Sequence, residues 1–390
     1  MKPANPYTAF NQFNRNQFSR NQLNGNQLNR RGALRLMAFG AGAAGALTFP
    51  ERLGLSASAA TASKVTFPKG SIIRTVLKDV TPESLGGGAT LFHEHITIND
   101  PAPPWIPRRG TNPNPPPAAY GSKIDLMVEE IKGLAKDGVS CIVDGSTVDL
   151  GKNMDHLREI ATRTGFPIVA AGGYYLHATY PAEVGEKNED DLAAKLVADA
   201  TAQRWGAMGE IGVTQHPILP DEQKVLRAVC KASQQTGLHF FTHNPHNGCG
   251  ACGIDQLDII ESMGVNPAHV CIGHLADITD DPKAETHKAI AKRGAFLGFD
   301  TVGRRLTQGD SKKLEMVMAV LEAGYEDHVL LGSDFATEDE LKANHGAGFD
   351  SAMMVFGPKM RAAGVKEATM HKILVDNPRR FLAFVPKTRA

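Results

Sequence analysis

The chain has 390 residues, of which 42% are hydrophobic, and its 42 basic side chains balance its 42 acidic ones. This length can bury a large core, as one generous α/β barrel or as two ordinary domains. The zero net charge argues against nucleic acid as a partner, because polyanions are bound by basic surfaces.

The N-terminal segment 1–62 has the order of features found in export signals. Residues 11–30 repeat a polar five-residue unit with too little apolar content to pack, which predicts disorder. Arg30 and Arg31 then precede an uncharged, largely apolar run over 36–49. This order resembles a twin-arginine signal.

The end of this segment predicts where the mature protein begins. The small-residue stretch 56–62 offers cleavage after Ala59 or Ala62. The apolar run before it is shorter than the roughly 20 residues that cross a bilayer, which argues against a permanent membrane anchor. We therefore expect a periplasmic or secreted protein whose folded domain covers 63–390.

From residue 70 onward, short apolar runs alternate with amphipathic segments, which is the pattern of a parallel sheet with crossover helices. The eight strand candidates are 89–95, 140–146, 168–174, 207–211, 239–243, 269–274, 295–299 and 328–333. The helical stretches include 125–136, 191–203, 221–235, 256–263, 283–292 and 312–322. We predict an α/β fold, a (β/α)8 TIM barrel, whose active site lies at the C-terminal strand ends.

Two local features add to this pattern. Several helical stretches begin with Asp and end before Gly, which predicts aspartate N-caps and C-terminal glycines. The proline-rich segment 101–117 is too long for a tight connection and predicts a lid or a subunit contact.

The five cysteines do not suggest a disulfide framework. Cys249 and Cys252 form a Cys-x-x-Cys pair in a Gly-rich stretch, for which we favour a plain loop. A local disulfide stays open if the protein is exported. The other three lie in or near apolar runs and are expected to be buried: Cys141, Cys230 and Cys271.

His93 and His95 stand two residues apart at the end of the first predicted strand. Alternate residues of a strand face the same side, so both rings can share a cation. Further candidate ligands follow later strands: Glu210, His243, His274 and Asp334. Four imidazoles and two carboxylates suit zinc and are enough for two ions.

These positions, with the late segment Asp-Asn-Pro-Arg-Arg-Phe at 376–381, resemble the phosphotriesterase family of the amidohydrolase superfamily over nearly all of 70–385. The resemblance implies two divalent cations, most simply Zn²⁺, bridged by Glu210 and a hydroxide. It divides the other ligands into two sets: His93, His95 and Asp334 for one ion, and His243 and His274 for the other.

The bridging position departs from the family's organophosphate-degrading members, which carry a carboxylated lysine where this chain has Glu210. The chain is instead similar to the branch of phosphotriesterase homology and phosphotriesterase-related proteins. Gly-Tyr-Tyr at 173–175 and Gly-Phe-Asp-Thr-Val-Gly at 298–303 support this branch. Thr301 also replaces a relay histidine of the phosphotriester-degrading members, so we expect phosphotriesters to be poor substrates.

The resemblance also assigns catalytic roles. Asp334 would touch both metal and hydroxide and could accept the proton as the hydroxide attacks. Asp277 matches another part of the relay.

Residues around this centre are candidates for substrate contact. Tyr174 and Tyr175 sit where lactone-hydrolysing relatives place a tyrosine, with a packing pair as the alternative. Arg304 and Arg305 could bind a substrate anion by forked hydrogen bonds, with a solvated loop as the alternative. Three other histidines fall in strand-end loops, where substrate contact is an alternative, but each is interpreted as a surface side chain: His177, His246 and His345.

The sequence thus predicts an exported, zinc-dependent hydrolase that attacks an ester, lactone or amide carbonyl of a small molecule, with phosphotriesters as promiscuous substrates. A TatD-like metal-dependent phosphodiesterase is a second interpretation, because it also uses a barrel, His-x-His and a bridging Glu. A metal-binding barrel without catalysis is a third. The family resemblance favours a homodimer.

Overall fold

The computed structural model describes residues 65–98, 123–246, 248–279, 281–304 and 307–387. Within these ranges, no helix is long and apolar enough to span a bilayer.

Three of the sequence predictions concern residues outside the described ranges. They are the export signal over 1–62, the proline-rich segment 101–117, and Arg305. These remain predictions.

Eight buried parallel strands form the wall of the fold, at the positions that the sequence predicts. They are β1 (Ala89–Glu94), β2 (Val139–Asp144), β3 (Ile168–Ala170), β4 (Met208–Gly212), β5 (Phe240–His243), β6 (Val270–Ile272), β7 (Phe296–Phe299) and β8 (Val329–Leu331). A two-stranded antiparallel hairpin precedes them, with strands Ile73–Arg74 and Asp79–Val80.

The strands form a closed barrel. Regular pairing gives one ladder in the order β1-β2-β3 and a second in the order β8-β7-β6-β5-β4. At the β3–β4 seam, Gly209 N donates to Gly172 O at 3.0 Å. At the β8–β1 seam, Asp334 N donates to His93 O at 3.0 Å. The predicted (β/α)8 barrel is therefore confirmed.

Helices surround this barrel. They are α1 (Ile124–Lys136), α2 (Met154–Thr164), α3 (Ala182–Glu186), α4 (Glu189–Gln203), α5 (Pro220–Thr236), α6 (Gly250–Ser262), α7 (Glu285–Lys292), α8 (Asp310–Glu322), α9 (Gly357–Ala362), α10 (Glu367–His371) and α11 (Asn377–Leu382). Single π-helical turns at Ala352–Phe356 and Lys372–Asp376 precede α9 and α11. The predicted helical stretches do not include α2, α3 or the C-terminal helices.

Helix termini follow the prediction at one end only. Gly237 ends α5 with φ 82°, a left-handed conformation that suits glycine. The expected aspartate N-caps are wrong, because Asp125, Asp191 and Asp221 lie in the first turn of their helices. There their carboxylates face the positive end of the helix dipole, while Asn188 caps α4.

Aromatic side chains fill the barrel interior beneath the strand ends. Phe92 makes edge contacts with Phe241 and Phe381, with ring centroids 5.3 and 5.1 Å apart. Phe241 also lies 4.9 Å from the His93 ring. The C-terminal segment is tied to β8, because Asn377 Nδ2 donates to Val329 O at 2.8 Å. This packing gives the site above it a rigid floor.

The cysteine prediction is corrected at one pair. Cys249 and Cys252 form a disulfide, and Cys252 belongs to α6, so this stretch is not a plain loop. The remaining cysteines are free and buried, as expected: Cys141, Cys230 and Cys271.

Candidate metal centre

The six predicted ligands come together at the C-terminal ends of the strands. They are His93 in β1 and His95 just after it, Glu210 in β4, His243 at the end of β5, His274 after β6 and Asp334 after β8. His274 and Asp334 both have φ 53°, a left-handed conformation that L-residues rarely adopt. Asp300 fixes the first of these turns by accepting His274 N at 2.7 Å.

The first group consists of His93, His95, Glu210 and Asp334, with one ligand atom of each lying within 4.8 Å of the others. His95 Nε2 is 3.0 Å from Asp334 Oδ1 and 3.6 Å from Glu210 Oε2. His93 Nε2 lies 3.6 Å from the same Glu210 oxygen and 3.9 Å from Asp334 Oδ1. Two imidazoles and two carboxylates thus surround one point.

Glu210 connects this group to a second one. Its Oε2 faces His93 and His95, while its Oε1 lies 2.7 Å from His243 Nδ1 and 2.6 Å from His274 Nε2. One carboxylate oxygen therefore serves each pair of histidines. This is the arrangement expected of a carboxylate that bridges two cations.

A layer of acceptors holds the imidazoles from behind. Asp300 Oδ2 accepts from His93 Nδ1 at 2.8 Å, and its Oδ1 accepts from His274 Nδ1 at 3.0 Å. His95 Nδ1 lies 3.0 Å from Ser146 Oγ, whose hydroxyl donates to Asp144 at 3.0 Å. Such partners fix the ring orientation and raise the basicity of a ligand imidazole.

Glu94 lies between His93 and His95 in sequence and holds the segment that follows β8. Its carboxylate accepts from Ser333 N at 2.8 Å and from Phe335 N at 3.1 Å. Asp334 is therefore held between two anchored neighbours. Burial raises the pKa of Glu94 well above its usual range, against these two backbone hydrogen bonds.

The donor set suits a divalent cation. His93 Nε2 is buried and has no hydrogen-bond partner among the described residues, which would be costly unless the nitrogen had another use. Burial disfavours the charged imidazole, yet Glu210 and Asp300 raise the pKa of His93 to about 10. The same negative potential would attract a metal ion, so the residues fit zinc or a similar cation.

Two of the predicted substrate contacts are bonded to protein side chains in the structure. The Tyr174 ring packs in the core and its hydroxyl donates to Glu183 at 2.7 Å, away from the ligands. The Arg304 side chain is only 12% exposed: it donates to Asp334 Oδ2 at 3.1 Å and pairs with Glu340 at 2.7 Å. Its guanidinium thus donates to carboxylates of the protein and does not offer a free pair of N–H donors to a substrate anion.

Tyr175 does lie at the centre. Its hydroxyl is 3.3 Å from His243 Nδ1, and Asp149 holds its backbone N at 2.9 Å. Burial, and then the charges of Glu210 and Asp334, raise the pKa of the Tyr175 phenol well above its usual range. The hydroxyl therefore stays protonated and can donate a hydrogen bond.

Asp277 reaches the centre through His246, which the sequence analysis predicts at the surface. Its Oδ2 lies 2.7 Å from His246 Nδ1, and the ligand atoms of His243, His246 and His274 lie within 4.8 Å of one another. Only the short spacing from His243 could have indicated this. Asp300 was also missed, although it follows β7 within the segment 298–303.

The protein is therefore a closed barrel of eight parallel strands with a candidate metal centre. Histidines and carboxylates form this centre at the carboxyl ends of the strands. The chain belongs to the phosphotriesterase family, a metal-dependent family whose model matches residues 72–382.

Relatives and solved structures agree with this assignment. The chain is 30% identical over 303 residues to the phosphotriesterase homology protein of Escherichia coli K12, covering 75% of this chain and 97% of that protein. It is 26% identical over 352 residues to N-acetyltaurine hydrolase of Danio rerio, covering 80% and 98%. A resiniferatoxin-binding protein from Rhodobacter sphaeroides superposes with a TM-score of 0.72 at 28% identity, covering 80% and 95%.

Proposed function

We propose that this family member is a hydrolase that uses two divalent cations, Zn²⁺ by preference, to cleave an ester, lactone or amide bond of a small molecule. The observation that carries the proposal is Glu210, whose two carboxylate oxygens face two separate pairs of histidines. His93, His95 and Asp334 would hold one cation, and His243 and His274 the other.

Cations at this centre would lower the pKa of a bound water and polarise the substrate oxygen. The chain's own residues supply the rest. Asp334 is the proton acceptor; although burial opposes ionisation, the His95 hydrogen bond and the nearby charges of His274 and Arg304 hold its pKa well below the usual range. Arg304 also orients this carboxylate through its contact with Oδ2. Tyr175 is placed to donate to a substrate oxygen near His243.

Three considerations favour a carbonyl over a phosphoryl substrate. One relative is named N-acetyltaurine hydrolase, which indicates an amide. The bridge is Glu210 rather than a carboxylated lysine, and Thr301 stands where the phosphotriester-degrading members have a relay histidine. Phosphotriester hydrolysis is therefore proposed only as a side activity.

The first experiment compares kcat/KM of the zinc-loaded protein on a simple lactone, an N-acetyl amide and an aryl phosphotriester under identical conditions. We expect a carbonyl substrate to be preferred by several orders of magnitude. A preference for the phosphotriester would mean that Glu210 supports phosphoryl transfer as well as a carboxylated lysine does, and would refute the proposed substrate class.

A binding role without catalysis is the second candidate, favoured by the structural neighbour named a resiniferatoxin-binding protein. Tight binding of a small apolar ligand by metal-loaded protein, with no turnover of any of the three substrates, would support it. Zinc-dependent turnover that is lost on chelation would exclude it.

Export by the twin-arginine route is also part of the proposal. It is supported by Arg30 and Arg31 before the uncharged run, and by the Cys249–Cys252 disulfide, which suits an oxidising compartment. Replacing both arginines by lysine should retain the protein in the cytoplasm on cell fractionation.

Sedimentation analysis of the purified protein would test the proposed homodimer.

A further inference from the structure

His246 lies beside the second pair of histidines and has no role in the mechanism above. Its ring centroid is 4.3 Å from that of His274 and 5.1 Å from that of His243. One ring nitrogen of each of these three histidines lies within 4.8 Å of the others. The His246 side chain is only 23% exposed, so it is not a freely solvated surface histidine.

The other side of the ring is fixed by a buried carboxylate. His246 Nδ1 lies 2.7 Å from Asp277 Oδ2, and Asp277 is itself fully buried and accepts a hydrogen bond from Thr307 Oγ1. Lys313 Nζ, 3.9 Å away, adds a positive charge on the far side of Asp277. An ionised Asp277 requires Nδ1 to be the donor, which leaves the lone pair of the His246 ring on Nε2.

This arrangement repeats the one found behind the predicted ligands. His93 and His274 each use Nδ1 to bind Asp300 and direct Nε2 toward Glu210. Imidazoles that coordinate a metal characteristically donate their other ring N–H to a carboxylate, a carbonyl or a water. The pair of His246 and Asp277 has the same form.

We propose that His246 is a third imidazole ligand of the second cation, together with His243 and His274. The inference rests on the proposed function, because it requires that cation. With Glu210 Oε1, the second site would then offer four protein donors, the number that zinc prefers. Asp277 becomes the residue that positions His246, since it contacts the ion only through this ring.

The test measures metal binding rather than activity. The full chain, stripped with a chelator, is titrated with Co²⁺ by visible absorption and with Zn²⁺ in competition with a chromophoric chelator. We expect the wild-type protein to bind two ions. His246→Ala should leave one affinity unchanged and weaken the other by more than the about 10- to 100-fold that is lost when a residue supporting a metal ligand is removed. The Co²⁺ bands of that site should change with it.

Two further variants make the result specific. Asp277→Asn should weaken the same site in the same direction, because it releases the His246 ring. His177→Ala removes another loop histidine, half-exposed and paired with Asp221, and should change neither affinity. Thermal unfolding of the chelated proteins shows whether each variant keeps its fold.

The outcomes separate this inference from the proposed function. Two ions bound by His246→Ala with wild-type affinities and an unchanged Co²⁺ spectrum would overturn the inference and leave the proposed function intact. A wild-type chain that binds no metal would overturn both.

Discussion

Asp334 is the residue on which the proposed chemistry depends most directly. It contacts His95 at 3.0 Å from one oxygen and Arg304 at 3.1 Å from the other. An asparagine would keep an oxygen ligand but could not accept a proton at neutral pH. Ligation and proton transfer can therefore be separated at this position.

We expect Asp334→Asn to retain most of the bound metal and to lose about 10²- to 10⁴-fold in kcat, the usual contribution of a general base. Metal analysis together with steady-state kinetics on the best substrate checks this. Full activity in the variant would remove Asp334 from the mechanism.

Arg304 is expected to act through Asp334 and not through the substrate. Arg304→Met should lower kcat by about 10- to 100-fold and change KM by less than about threefold, because it removes support from a group that acts in the transition state. The matched control is Arg361→Met, which breaks a surface ion pair with Glu367 and should be neutral. A raised KM at unchanged kcat would restore the role of an anion-binding residue.

Asp300 supports both halves of the centre, since each of its oxygens binds a different imidazole. Asp300→Asn should weaken the affinity for both ions by about 10- to 100-fold in a chelator competition assay. Asp255→Asn, which affects only a surface pair with His216, provides the control. Loss at one ion alone would contradict this shared role.

At the scale of elements, the spacing between β5 and β6 determines where His274 is placed. A Cβ at Gly273 would lie 2.1 Å from Thr242 O and 3.0 Å from Asp300 Oδ2. No side chain can be accommodated there unless the strands separate. The glycine thus allows the close approach that brings the His274 ring to Glu210.

Gly273→Ala should lower the free energy of unfolding by about 1–3 kcal/mol, the cost of overpacking a core, and should weaken metal binding as His274 shifts. Gly185→Ala is the matched control, because a Cβ at this position in α3 meets nothing within 4 Å. It should be neutral or stabilise by up to about 1 kcal/mol. Denaturant unfolding of both variants would show the difference, and equal stabilities would contradict the steric argument.

At the scale of the whole molecule, stability depends on the end of the barrel opposite the metal centre. His239 there is buried, stacks on His269 at 4.2 Å and donates from Nδ1 to Phe381 O at 2.7 Å. Burial, and then the His269 charge, lower the pKa of His239 from 6.5 to about 4. The folded protein therefore keeps this ring neutral when the unfolded chain has already bound a proton.

The contribution of His239 to the free energy of unfolding is fully present above pH 6.5 and is lost as the pH drops toward 4. The loss is about 3 kcal/mol, at 1.36 kcal/mol per pKa unit. His239→Gln keeps an amide donor and cannot titrate, so its stability should fall less over the same interval. Urea unfolding of both proteins at pH 7 and 4.5 in chelator measures this, and parallel losses would exclude His239 as the cause.

Much of the architecture follows from local patterns in the chain. Apolar runs at regular intervals predict eight strands because each strand of a parallel barrel is buried on both faces. The ligands His93 and His95 are readable because side chains alternate along a strand. Local patterns do not predict the short helices α9, α10 and α11, because their position depends on packing against the barrel rather than on periodicity.

The sequence by itself therefore determined the barrel and the six residues that converge at the strand ends, because these depend on hydrophobic periodicity and on the fixed direction of parallel strands. Tertiary structure alone decided which side chains stand behind them. Asp300 reaches back to His93, 207 positions earlier in the chain, and Arg304 turns to Asp334 and Glu340. Tyr174 and Tyr175 are adjacent in sequence, yet one packs in the core and the other faces His243. Such contacts are set by the conformation of the loops, which no local pattern encodes.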